Sequence, residues 1–211
     1  SSPNITGPSG ASGANSSTIT VDENLNAEIT TFKADESVTW SITDGVDRNL
    51  FTINPTTGEL TFNSSPDYEQ PLDSDSNNSY FITITATDAS GNTSSQIVTI
   101  NVSDIDDTAP SITGPSDGSG SSTSSISTNE NTTNVTTFSA NESVTWSITD
   151  GPDKDLFVIN PSTGQLTFNS SPDYEQPLDS DSNNSYSITI TATDASGNTS
   201  SQIVTINVSD I

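Results

Sequence analysis

The stretch Tyr80-Phe81-Ile82-Thr83-Ile84-Thr85-Ala86-Thr87-Asp88 alternates residue by residue. Tyr80, Ile82, Ile84 and Ala86 share one side; Phe81, Thr83, Thr85 and Thr87 share the other. Successive side chains of a strand point to opposite faces, so this period of two predicts a half-buried β-strand. After the turn residues Ala89-Ser90-Gly91-Asn92, Val98, Ile100 and Val102 form a second clean face. Working back toward the N-terminus, Leu60 and Phe62 share a face, as do Phe51 and Ile53, with the turn Asn54-Pro55-Thr56-Thr57-Gly58 between them. Val38, Trp40 and Ile42 make another. The run from Ala27 to Lys33 alternates imperfectly and predicts a strand with a bulge. Ile19 and Val21 begin the series. Thr at the alternate positions suits an antiparallel sheet that is wet on one face. Seven short strands in about 100 residues, with no helical period, predict a Greek-key β-sandwich.

The unit occurs twice. Phe32–Ile105 aligns with Phe138–Ile211 without a gap, and nine of those 74 positions differ. Upstream, Ile5-Thr6-Gly7-Pro8 recurs as Ile112-Thr113-Gly114-Pro115. Two domains of ordinary length follow, 1–106 and 107–211, joined end to end. The copies test the strand phase. Thr52 becomes Val158 and Phe81 becomes Ser187, both on predicted outer faces, while the predicted inner-face residues from Val38 to Val102 are unchanged. Trp40 and Trp146 are therefore read as core residues. The Ser/Gly-rich segments Ser9–Thr18 and Ser116–Ser125 are read as flexible excursions within the first strand region. The second copy stops at Asp210-Ile211, where another junction would start, which reads as a piece cut from a longer array.

Composition narrows the function. The 211 residues carry 28 carboxylates against Lys33, Arg48 and Lys154, for a formal net charge of −25, with no His, Cys or Met. No disulfide can form. Zinc, copper and haem lose their usual ligands. Ser-His-Asp and Cys-His catalysis are excluded. The charge repels nucleic acid and anionic membranes. No apolar stretch approaches the ~20 residues that span a bilayer, so no membrane insertion is expected. At 28% hydrophobic the chain sits near the disordered regime, and it is the patterning that argues for folded domains.

Strand alternation also assigns ends. Counting directions through the sandwich puts Glu23, Asp67, Glu69, Asp104 and Asp107 at one pole of the first unit, and Asp35, Glu36 and Asp88 at the other. In a tandem array, the junction then gathers the first set and Asp106 with Glu142 and Asp194. Like charges ~4 Å apart cost about 1 kcal/mol per pair even in water, so such a gathering requires a cation. Oxygen ligands alone select a hard ion, and mobile acidic loops favour Ca2+ over Mg2+. The loop Leu72-Asp73-Ser74-Asp75-Ser76-Asn77-Asn78 has alternating oxygens without an EF-hand's Gly and terminal Glu. It reads either as an additional calcium site or as a solvated acidic loop. Asp88 alone would serve equally as a cap for the turn after it.

Four segments carry a resemblance. Glu23-Asn24, Asp67-Tyr68-Glu69, Thr85-Ala86-Thr87-Asp88 and Asp104-Ile105-Asp106-Asp107-Thr108-Ala109-Pro110 resemble the calcium motifs of cadherin repeats, in their order and near their spacing. Phe51-Thr52-Ile53-Asn54-Pro55-Thr56-Thr57-Gly58 resembles the family's mid-domain pattern. The near-identical, Cys-free, Ser/Thr/Asn-rich copies resemble the extender domains of giant RTX-type bacterial surface adhesins. The resemblance implies an interdomain cluster of up to three Ca2+. Glu23, Asp67 and Glu69 would bind the upper ions, Asp107 would bridge, and Asp106 and Asp194 would hold the ion nearest the second unit. Asp104 lies in the linker motif. Thr108 stands where the family often supplies an Asn carbonyl, and Asn141-Glu142 replaces a longer Asp-x-Asp motif. Half-sites are expected around Asp88, and around Glu130, Asp173, Glu175 and Asp210.

The function implied is a calcium-rigidified spacer in a cell-surface adhesin: extracellular, monomeric, partnered by neighbouring repeats, and projecting a distal binding region. The alternative is a module that adheres, or binds glycan or protein, directly. An enzyme is not expected. Carboxylate pairs can hydrolyse glycosides, but these acids are better explained as ligands.

Overall fold

A computed structural model describes residues 1–211. It comprises two compact units, Ser1–Ile105 and Asp106–Ile211. The division falls one residue before the expected boundary. Asp106 belongs to the second unit because its carbonyl accepts from Asn198 Nδ2 (3.0 Å) and its carboxylate from Ser196 Oγ (3.0 Å).

In the first unit the strands are β1 (Ile5–Thr6), β2 (Ser16–Asp22), β3 (Thr30–Thr31), β4 (Lys33–Ala34), β5 (Val38–Asp44), β6 (Phe51–Ile53), β7 (Glu59–Phe62), β8 (Ser79–Asp88) and β9 (Thr93–Ser103). One layer is the four-stranded sheet β2-β9-β8-β5; the other contains β3-β7-β6, with β1 paired to β4. The expected phase of the long strands is the observed one. Tyr80, Ile82, Ile84 and Ala86 on β8, and Val98, Ile100 and Val102 on β9, are buried. Phe81 is 40% exposed. Trp40 is core, its ring 6.0 Å from that of Phe32, and Phe51, Phe62 and Tyr80 form an aromatic cluster at the end of the sandwich near β7.

Two expectations change. The run from Ala27 to Lys33 is not one bulged strand. Thr30 and Thr31 pair with β7, whereas Lys33 and Ala34 pair with β1. The changeover is at Phe32, whose side chain enters the core and whose N–H turns to the Gly58 carbonyl (3.0 Å). The Ser/Gly-rich excursion is also shorter than Ser9–Thr18, because β2 already starts at Ser16, parallel to β9. A buried polar pair holds it: Ser17 Oγ donates to Gln96 Oε1 (2.9 Å), and Gln96 Nε2 donates to the Ala14 carbonyl (2.9 Å). With its partners satisfied, such a pair fixes register without the penalty of an unpaired buried polar group.

The second unit repeats this plan with β10 (Ile112–Thr113), β11 (Thr123–Asn129), β12 (Asn134–Thr137), β13 (Ser139–Ala140), β14 (Thr145–Asp150), β15 (Phe157–Ile159), β16 (Gln165–Phe168), β17 (Ser185–Thr193) and β18 (Thr199–Ser209). Here β12 is longer and does carry a bulge, between Asn134 and Thr136. Its excursion ends before Thr123, three residues short of the expected range, and Ser124 Oγ donates to Gln202 Oε1 (2.8 Å).

Gly7 lies against the Ser17–Gln96 pair. A methyl group there would overlap Gln96 Oε1 and sit 2.7 Å from Ser17 Oγ. Gly7→Ala is expected to destabilise the first unit by about 1–3 kcal/mol, the usual range for overpacking. Gly114→Ala should do the same to the second unit, where Gln202 and Ser124 stand in the same places. Urea denaturation measures both.

Candidate metal centre

The first acidic group is built by parallel strands. β2 and β9 end together, with Asp22 opposite Ser103 and the Glu23 N–H donating to the Ser103 carbonyl (3.0 Å). Glu23 and Asp104 therefore leave the sheet side by side. Asn24 then turns at φ 60°, and its N–H donates to the Pro66 carbonyl (2.8 Å), which brings the segment after β7 alongside. Glu23, at 3% exposure, becomes a hub. Its Oε2 accepts from the Tyr68 N–H (2.7 Å) and its Oε1 from the Ile105 N–H (2.8 Å). As a result, carboxylate oxygens of Glu23, Glu69 and Asp104 all lie within 4.8 Å of one another. Asp67 faces its own loop, accepting from the Gln70 N–H (2.9 Å) and Gln70 Nε2 (3.2 Å).

The second unit has two such groups. Glu130, Glu175 and Asp210 reproduce the first, with Glu130 accepting from the N–H of Tyr174 (2.9 Å) and of Ile211 (3.3 Å). Asp106, Glu142 and Asp194 form the other. There the turn after β17 aims Asp194: its Oδ1 accepts from the N–H of Ser196 (2.9 Å) and Asn198 (2.8 Å), its Oδ2 from Asn198 Nδ2 (2.8 Å). Burial pushes the Asp194 carboxyl up. The Asn198 amide and the surrounding N–H groups outweigh this and hold it below the usual carboxylate value. Asp88 has the same turn, and the Asn92 amide with the Asn92 and Ser90 N–H groups holds its carboxyl low. Capping a turn and offering an anionic oxygen are thus compatible in one residue. Asn141 Oδ1 accepts from the Ser111 N–H (2.6 Å), and Thr108 is exposed. Asp107 is outside the three groups.

Two ligand oxygens at 2.3–2.6 Å from one Ca2+ can be no more than about 5 Å apart, so each trio is close enough to share an ion. Oxygens already accepting one N–H keep a second lone pair for it. The donor set is all hard oxygen, which fits Ca2+.

The family model for the cadherin domain matches residues 14–103 and again 123–209. The chain belongs to the cadherin family. Tandem cadherin domains are extracellular adhesion and spacer modules, and they typically bind Ca2+ at the linker between domains. Among solved structures, human protocadherin-24 EC1-2 is 21% identical, with a TM-score of 0.65, covering 100% of this chain and 99% of that one. Mouse cadherin-23 EC22-24 is 24% identical with a TM-score of 0.54, and this cadherin pair spans 65% of its length. Drosophila N-cadherin EC1-4 is 20% identical with a TM-score of 0.59, and half of its length is spanned. At these identities the likeness is one of fold. No helix of the structure is long and apolar enough to cross a membrane.

Sequence reasoning missed two residues of this cadherin framework. Asp47, at 3% exposure, accepts from the Ser74 N–H (2.8 Å) and the Phe81 N–H (2.8 Å). Asn78 donates from Nδ2 to the Tyr68 carbonyl (2.8 Å). The signal for Asp47 was its place ahead of the short 3-10 turn Arg48–Leu50. Asn78 gave none beyond lying in an acidic loop.

Proposed function

We propose that this cadherin pair is a calcium-stiffened spacer, an extender segment of a long bacterial-type cell-surface adhesin that carries its binding region elsewhere. Glu23, Asp67, Glu69 and Asp104 would supply oxygens from the first unit. Asp106, Asp107, Thr108, Asn141, Glu142 and Asp194 would supply them from the second. When bound, Ca2+ would supply positive charge and accept oxygen ligands from loops that otherwise repel one another. The observation that carries this reading is the convergence of three carboxylates within 4.8 Å, three times over, in a chain with only three basic side chains.

The protein's own part is orientation. Glu23 ties the Asp67–Glu69 segment and the linker to one carboxylate, and the Asp194 turn fixes that side chain before any ion arrives. The near-identity of the copies suits a spacer, which needs length and stiffness. Direct recognition by a shared face finds less support, since exposed Phe81 is Ser187 in the second unit.

Calorimetric titration with calcium, paired with small-angle scattering before and after chelation, tests this on the whole chain. The expected result is binding at roughly 10⁻⁴–10⁻³ M, the range of extracellular modules, with a narrower spread of dimensions in calcium. No heat of binding and identical scattering would defeat it.

A further inference from the structure

The loop Leu72–Asn78 is neither open to solvent throughout nor built around outward-facing oxygens. Asp73 is buried, with Oδ1 accepting from the Asn78 N–H (3.1 Å) and Oδ2 from the Asn77 N–H (2.8 Å). The Tyr80 hydroxyl accepts from the Leu72 N–H (3.3 Å), and Asp47 grips the Ser74 N–H. The Val102 N–H donates to the Asn78 carbonyl (2.9 Å). The backbone of Asn78 is thus fixed on both sides, and its amide then reaches the Tyr68 carbonyl. The Tyr68 N–H in turn meets Glu23. The residue immediately before Glu69 is held at both its N–H and its C=O.

We infer that Asn78, and Asn184 in the second unit, are positioning residues for the carboxylate trios, acting through the backbone of Tyr68 and of Tyr174. This rests on the calcium reading of those trios. Two unfavourable features of Asn78 support it. Its φ is 63°, in the left-handed region that side chains other than glycine rarely adopt. Its Oδ1 is buried with no hydrogen-bond partner, a state that most buried polar atoms avoid. Asn184 repeats both, with φ 64°, an orphan Oδ1 and the same bond from Nδ2 to the Tyr174 carbonyl (2.9 Å). Asn tolerates this backbone better than other non-glycine residues, so the turn alone accounts for the φ; the orphan oxygen is what a residue serving only the turn, such as Gly, would avoid. The donor end is the part in use, and local strain of this kind collects where geometry is over-determined.

The consequence concerns affinity. Three like charges push Glu69 away from Glu23 and Asp104 when no ion is present. A backbone clamped at Tyr68 resists this and leaves less ordering to be done on binding.

The test compares wild type with Asn78→Gly, which keeps the left-handed turn and removes the amide, and Asn78→Asp, which keeps the shape and removes the donor. Both variants should raise the calcium dissociation constant of the first unit about tenfold, the effect of losing one ordering bond. In calcium-free protein, hydrogen exchange at the Tyr68 amide should quicken about tenfold, while Ile82 and Ile100 on β8 and β9 stay as protected as before. A lowered melting temperature with unchanged affinity and unchanged Tyr68 exchange would reduce Asn78 to an ordinary structural residue and overturn the inference. If wild type itself takes up no calcium, the spacer reading fails, and the exchange measurement alone decides: faster exchange at Tyr68 supports the clamp, and no change overturns it.

Discussion

Calcium at about 10 mM is expected to raise the melting temperature of this chain by roughly 6–20 °C over the same protein with a chelator. A ligand that binds only the folded state stabilises it by about 1.4 kcal/mol per site at a tenfold excess and about 2.7 kcal/mol at a hundredfold, the excesses that ~10 mM gives over dissociation constants of about 10⁻³ and 10⁻⁴ M. For a unit of ~100 residues, 1 kcal/mol moves the transition by about 4–8 °C. The gain is large against the ~5–15 kcal/mol that holds an ordinary domain together. The direction follows from charge. Without an ion, each trio places three carboxylates within 4.8 Å, and folding must confine them. With a divalent cation, the same confinement becomes favourable. Because a net charge of −25 also gains from simple screening, the control is sodium chloride at equal ionic strength. Magnesium is the second control, since its tight octahedron at 2.0–2.1 Å and its reluctance to shed water suit these spread oxygens poorly. Scanning calorimetry in calcium, magnesium, sodium and chelator separates the cases. Equal shifts in all three salts would mean that the acids are merely screened.

The sequence shows most clearly what repeats along a strand. The faces of β8 and β9 were legible because Tyr80, Ile82, Ile84 and Ala86, and Val98, Ile100 and Val102, alternate with Thr and Ser. The two copies set the phase through Phe81 and Ser187. The order of elements around Glu23, Glu69 and Asp104 could be counted from strand directions alone, because a parallel β2–β9 pair and the end of β7 share one pole. Where reading failed, the contacts were long-range and polar. Nothing in Ser16-Ser17 distinguishes a strand start from a serine-rich loop; the difference is made by Gln96, 79 positions away from Ser17. The division of the Ala27–Lys33 run depends on β1, itself two residues long. The carboxylates misled in a particular way. Taken singly, Glu23 and Asp73 look like surface residues, yet each is nearly buried with both oxygens satisfied by backbone N–H groups. A carboxylate that organises backbone carries no local signature, since its partners are amides that every residue possesses.

Glu23→Ala should show how much of the centre exists before calcium binds. Without metal, the substitution is expected to destabilise the first unit by about 2–4 kcal/mol. It strips the Tyr68 and Ile105 N–H groups of a charged acceptor, and hydrogen bonds to charged groups contribute about 1.5–3 kcal/mol each. Relief of repulsion from Glu69 and Asp104 returns part of this, about 1 kcal/mol per pair by the Coulomb figure for water. Glu23→Gln should fall between, because its Oε1 can still accept one N–H while its Nε2 meets the other as donor against donor. In calcium, both variants should lose the thermal gain of the first unit's trio. The second unit supplies an internal comparison, since Glu130 makes the same two bonds to Tyr174 and Ile211. Denaturant titration in chelator and melting in calcium distinguish the two roles of Glu23. A Glu23→Ala protein as stable as wild type in chelator would show that it organises nothing on its own. One that is destabilised yet keeps the full calcium increment would show that it shapes the site without binding the ion, leaving Glu69 and Asp104 as that trio's ligands.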